Sequence, residues 1–149
     1  MSSVTMSAKH VAWPPLHPFL ACTVATCLTG AMLTDIVYAS TAVIMWTDFS
    51  AWLISAGTIL AWLFGVVGLI EFGVRPSIRA RRYLLPYAIG NLVVIVLATI
   101  NMLIHTRDAW SSVVPTGLVL SILTVLALLA TAGFGAFVVS SDRVEVIRS

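Results

Sequence analysis

Four long runs of residues in this chain carry almost no charge, and that constrains its fold more than any other feature. They cover about 18–45, interrupted only by Asp35, then 49–70, 83–104 and 113–139, the last three without an Asp, Glu, Lys or Arg. Crossing a hydrocarbon layer about 30 Å thick by helix takes roughly 20 residues at about 1.5 Å each. Every run is long enough for one crossing and too short for two. A spanning strand needs about ten residues of alternating polarity, whereas these runs are continuously apolar, so helices are expected. Composition agrees. Charged residues make up 9% of the 149, against about a quarter in a soluble domain. That scarcity excludes disorder, a coiled coil and a water-soluble domain of this size.

The expected fold is an all-α membrane protein, an antiparallel up-down bundle of four transmembrane helices in a single domain. Helices are expected at about 18–45, 49–72, 83–105 and 113–139, with tails at 1–16 and 140–149. Trp46-Thr47-Asp48 reads as a tight turn between the first two helices, and Pro115 suits the first turn of the last. Links this short make successive helices antiparallel neighbours. Lys9, Arg75, Arg79, Arg81, Arg82, Arg143 and Arg148 fall on one side, and Arg107 alone on the other, beside Asp48 and Asp108. The positive-inside rule therefore puts both termini and the arginine loop in the cytoplasm, with the two short loops facing outward into a periplasm or its equivalent. Trp46, Trp52 and Trp110 read as anchors at the outer boundary, with Trp13 at the inner one.

The apolar core of the first helix exceeds the 7–15 residues of a typical signal peptide, and no A-x-A site follows it, so it is expected to be retained. Cys22 and Cys27 lie five apart on one helix and point about 140° apart, which forbids a bond between them. They are expected to be buried thiols. They form no C-x-x-C-H, so covalent haem attachment is excluded.

Asp35 is the one ionisable residue well inside an apolar run, and such a carboxylate is a functional candidate by default. Counted from Pro18 it lies about 25 Å along its helix, near the outer interface. There it is expected to be satisfied by polar groups on neighbouring helix ends, with ion or proton handling as the alternative. Asn101 and His105, spaced i, i+4, share a face at the same end of the third helix. Antiparallel packing makes a cluster of Asp35, Asn101 and His105 geometrically possible. Glu71 and Asn91, with Tyr87 one turn before Asn91, belong to the inner half and suggest a second polar cluster under the arginine loop. Their structural alternative is capping and snorkelling at the interface.

A bis-histidine haem needs two imidazoles at one depth. His17 and His105 sit at opposite ends, about 30 Å apart, and His10 lies in a Pro-rich lead, so no pair fits. His17 remains the candidate for a lone axial ligand. No His/Cys/Asp/Glu set has metal-ligand spacing. Gly57, Ala61 and Gly65, with Gly68 nearby, form a small-residue stripe suited to close helix packing, within the monomer or against a partner. Ala132, Gly133, Gly135 and Ala136 do similar work in the fourth helix. No nucleophile–base pair or phosphate loop appears, and no catalytic residue is expected.

The order of His17-Pro18, Asp35, Gly57 with Gly65 and Gly68, Asn91, and Gly133-x-Gly135 followed by Val138-Val139 resembles the bacterial four-helix membrane proteins grouped as domain of unknown function 2231. The resemblance runs from His17 to Val144. It implies a four-helix inner-membrane domain, whose relatives are sometimes joined to, or found beside, sugar-dehydrogenase or cytochrome-like modules. That implies a redox accessory role. Relatives often show a histidine about four residues before the asparagine, where this chain has Tyr87, which weakens any implied haem role. The glycine pair of the fourth helix is split by Phe134.

The expected function is a small polytopic membrane protein, a non-catalytic accessory or anchoring subunit with a redox association. It is expected to contact the lipid bilayer and a homo-oligomeric or membrane-complex partner, and no nucleic acid. No cofactor is expected. The alternatives are an electron-transfer subunit binding haem b or a quinone, and a small proton or ion channel or transporter using Asp35 and His105.

Overall fold

The computed structural model describes the backbone of residues 16–76, 83–107 and 113–148, and the side chains over 18–76, 83–107 and 113–137. Trp13, Trp110, His10, Lys9, Asp108, Arg79, Arg81 and Arg82 lie outside the described residues, as do the side chains of His17, Val138, Val139, Arg143 and Arg148. Four helices carry the fold: α1 (Leu16–Thr41), α2 (Met45–Val74), α3 (Leu84–His105) and α4 (Leu118–Arg148), the last entered through a kinked turn, Val113–Gly117. Each contains a stretch long and apolar enough to cross a membrane: Pro18–Thr41, Met45–Val74, Leu84–His105 and Val113–Phe137.

Local chemistry sets where the helices begin and end. Pro86 falls in the first turn of α3, where a missing N–H costs no intrahelical bond. α1 ends at Ala42, whose φ of 55° is left-handed and whose N–H reaches back to Tyr38 O at 2.8 Å. The connection to α2 is thus residues 42–44. Trp46-Thr47-Asp48, expected as the turn, instead forms the first turn of α2, with Asp48 at its positive end. Val114 is extended (φ −117°, ψ 126°), because the ring of Pro115 disfavours helical backbone in the residue before it. Pro115 therefore sits in a kinked turn ahead of α4 rather than in its first regular turn. α4 runs on to Arg148, past the expected end near 139.

The helices form an antiparallel ring in which α1 packs on α2, α2 on α3, α3 on α4, and α4 closes against α1. Val24, Leu28, Ala31, Ile54, Ala61, Val94, Ile95 and Ala98 make the apolar core. Small residues allow the close approaches. A Cβ on Gly57 would meet Cys27 Cβ and Leu28 Cδ2 at 3.0 Å, and one on Gly90 would lie 2.5 Å from Thr131 Oγ1.

The exterior is the reverse of a soluble protein's. Phe19, Trp52, Ile59, Leu69, Leu85 and Phe137 are each at least two-thirds exposed or nearly so, while Asp35, Ser50 and Asn101 are fully buried. Many hydroxyls inside the spans bond to their own helices, as Thr23 to Phe19 O, Thr99 to Ile95 O and Thr131 to Ala127 O do. Exposed Trp62 turns its indole N–H onto Thr99 Oγ1 at 3.1 Å. Lipid supplies no hydrogen-bond partner, so such groups must find one within the protein. Cys22 is exposed and Cys27 half-buried, both free. The expectation of two buried thiols fails at Cys22, because an apolar-like thiol is as compatible with lipid as with a core.

Candidate functional site

Near the end of the bundle where α1 meets α2, all four helices contribute to one buried polar cluster. α1 supplies Asp35, α2 Ser50, α3 Asn101 and His105, and α4 Ser121. The sequence-level grouping of Asp35, Asn101 and His105 is present in space. The Asp35 side chain is fully buried, and that of His105 is 1% exposed. Ser50, His105 and Ser121, one from each neighbouring helix, enclose the carboxylate.

The contacts are closely specified. His105 Nε2 lies 3.0 Å from Asp35 Oδ1 and 3.2 Å from Ser50 Oγ. Ser50 Oγ donates to the same carboxylate oxygen. Ser121 Oγ donates to Asp35 Oδ2 at 2.5 Å. On the far side of the imidazole, Nδ1 is 3.0 Å from the main-chain oxygen of Asn101. The i, i+4 spacing of Asn101 and His105 makes that contact possible, because it stacks the ring over the preceding turn.

The Asn101 carboxamide has two orientations of unequal fit: in the first its Oδ1 faces only acceptors, and turning it over satisfies both ends. In the first, Nδ2 donates to Ser121 Oγ at 2.8 Å, Ser121 donates to Asp35, and His105 donates from both ring nitrogens. That pattern requires an imidazolium beside a carboxylate. In the second, Nδ2 donates to Gly117 O (3.2 Å) and His105 Nδ1 (3.1 Å), while Oδ1 accepts from Ser121 Oγ (2.8 Å) and Ser121 N (3.2 Å). His105 Nδ1 is then an acceptor, so the ring is neutral. The single Ser121 proton then points at Asn101 rather than at Asp35 Oδ2.

The other sequence candidates lie elsewhere. Glu71 pairs with Arg75 at 3.7 Å, one turn along α2. Asn91 donates from Nδ2 to Tyr87 O at 2.9 Å. Asn91 and Tyr87 line a cavity of about 90 Å3 between the four helices, toward the arginine-loop end. His17 lies in the first turn of α1. The small-residue stripe of α2 is taken up largely within the monomer. Gly57 abuts α1, Ala61 is 3% exposed, and a Cβ on Gly65 would meet Ile95 Cδ1 at 3.0 Å. Gly68, grouped with them, has nothing within 4 Å of its Cβ position. In α4, Gly135 faces the Tyr87 ring and Gly133 faces open space. Among the described residues no group of three or more His, Cys, Asp or Glu side chains could hold a metal ion.

Ser50 and Ser121 are the site residues that sequence reasoning missed. Serine is common in membrane helices and usually bonds its own backbone, so nothing local distinguishes these two. The available signal was depth: each lies at the level of Asp35 once the helices are laid antiparallel.

The family described as "Predicted membrane protein (DUF2231)" matches residues 13–148. The chain belongs to the DUF2231 family. No curated protein and no solved structure matches it. As a member of this family with four apolar helices, the chain is a multi-pass membrane protein.

Proposed function

We propose that this DUF2231 protein holds and passes protons at Asp35 and His105, as a small proton-conducting or proton-coupled membrane protein. The observation that carries this reading is the buried Asp35–His105 pair at the centre of the cluster. His105 Nε2 lies 3.0 Å from Asp35 Oδ1 with both side chains buried, and the hydroxyls of Ser50 and Ser121 bond the same carboxylate, so the pair is joined to groups able to relay a proton. A purely structural fastener has no need of ionisable groups. Burying charge is expensive in a bilayer, and Asn or Ser would tie the helices together at lower cost. The lopsided arginines support an orientation with the arginine loop and both termini in the cytoplasm of a bacterial cell.

Proteoliposomes carrying a pH-sensitive dye test the reading. Asp35→Asn keeps the shape and one acceptor oxygen, turns the other oxygen into a donor that Ser121 Oγ can accept, and removes ionisation. Wild-type vesicles are expected to pass acid under an imposed gradient, and Asp35→Asn vesicles are not. Equal flux in a folded Asp35→Asn protein would sink the proposal.

The second reading is an accessory or anchoring subunit of a membrane complex, with a redox enzyme as neighbour. It is favoured by the open, apolar outer faces beside Gly68 on α2 and Gly133 on α4, where another helix has room to approach closely. Purification from native membranes in mild detergent tests it through the proteins that co-purify. The absorbance of the same preparation tests for haem b, and solvent extraction for a quinone.

A further inference from the structure

The cavity toward the arginine-loop end lies between all four helices, on the bundle axis. Ala21 and Val24 of α1, Phe64 of α2 and Leu128 of α4 give it apolar walls. Tyr87, Asn91 and Thr131 add polar groups. Its volume of about 90 Å3 holds a few waters, and a water needs two to four polar partners of the kind these three side chains supply.

Between the cavity and Asp35 lies a layer about two turns thick. It contains the buried apolar residues Leu28 and Ala98, and two buried hydroxyls, Thr58 and Thr124. Thr124, Ser121 and Thr131 fall on one stripe of α4 at spacings of three and seven residues, so the hydroxyls follow the axis from the cavity to the carboxylate. Both hydroxyls of the layer are committed to carbonyls, Thr58 to Ala98 O at 3.3 Å and Thr124 to Leu120 O at 2.7 Å. The layer is therefore a dry constriction with polar lining held in reserve, as in pores that gate by wetting.

We infer that the axial cavity is the aqueous route by which protons reach Asp35 from the arginine-loop end, gated by the Leu28 layer. This rests on the proton-handling reading of Asp35 and His105. One proton arrives through the cavity at Asp35 as His105 gives one up toward the opposite end, where α3 stops. The charge of the pair is the same before and after the cycle. Among the described residues the titratable or charged groups near the pair's end of the bundle are Tyr38 on α1, Asp48 on α2 and Arg107 beyond α3. α4 faces the pair with the neutral Ser121.

Cysteine accessibility in proteoliposomes of known orientation tests the route. In a Cys22→Ala, Cys27→Ala background, Thr131→Cys should react with silver ion added on the arginine-loop side and not from the other side. Thr124→Cys should stay unreactive until Leu28→Ser is added. Leu28→Ser should also raise proton flux by roughly tenfold or more, because wetting sets conduction through such a layer. Thr124→Val, which keeps shape and loses the hydroxyl, should lower it. If Thr131→Cys does not react, or reacts from the opposite side, the route is wrong. If both flux variants behave as wild type while Asp35→Asn still abolishes flux, protons reach Asp35 another way and only the route falls. If Asp35→Asn leaves flux intact, the proton reading and the route fall together.

Discussion

At the scale of single residues, the cluster behaves as a unit because every member is both buried and bonded. Replacing Asp35 by Ala leaves Ser50, Ser121 and His105 turned toward a hole in a low-dielectric interior. The expected cost is about 3–5 kcal/mol, the range for breaking a buried charged pair. Asp35→Asn fills the hole and retains one acceptor oxygen, with an amide donor that a serine hydroxyl can accept, and should cost much less, about 1 kcal/mol. Thermal unfolding of the two variants in one detergent checks the difference, and equal losses would show that the carboxylate's partners gain nothing from it. Trp62 is a milder case on the lipid-facing side. Trp62→Phe removes an indole N–H whose partner, Thr99, also bonds Ile95 O. Since no buried donor is left stranded, the change is expected to cost under about 1.5 kcal/mol by the same measurement.

At the scale of helices, association in lipid depends on how closely backbones approach, because hydrocarbon offers no hydrophobic drive between spans. Gly90 is where α3 meets α4 most tightly, and its missing side chain is occupied by Thr131. Gly90→Ala should destabilise by about 1–3 kcal/mol through overpacking. Gly68→Ala meets nothing and should be neutral or stabilising by about 0.5–1 kcal/mol, from helix propensity. Measuring both by unfolding in mixed micelles separates the packed glycine from the open one. Helix positions were legible in the sequence to within a few residues, since apolar length sets them, except at the end of α4, which runs on to Arg148. The turn between α1 and α2 was not. Asp48 has a residue type common to turns and to first turns of helices, and only the backbone around Ala42 chooses between the two.

At the scale of the whole molecule, the arginines in the 75–82 connection set a testable orientation. A reporter active only in the cytoplasm should be active when fused after Ile78, and one fused within the α1–α2 connection should be silent. The reverse pattern would invert the axis along which protons are proposed to move. What the sequence alone determined is the solvent and the architecture. Long uncharged runs have one low-energy environment, and short links leave one simple way to connect them. It also brought Asp35, Asn101 and His105 to one depth, because rise per residue fixes depth along a helix. Rotation about the helix axes was decided only by tertiary structure. In a helix apolar on every side, no periodic polarity marks the inner face. Only side-chain packing turns Asp35, Ser50, His105 and Ser121 toward one another, while Trp52 and Leu69 face the lipid.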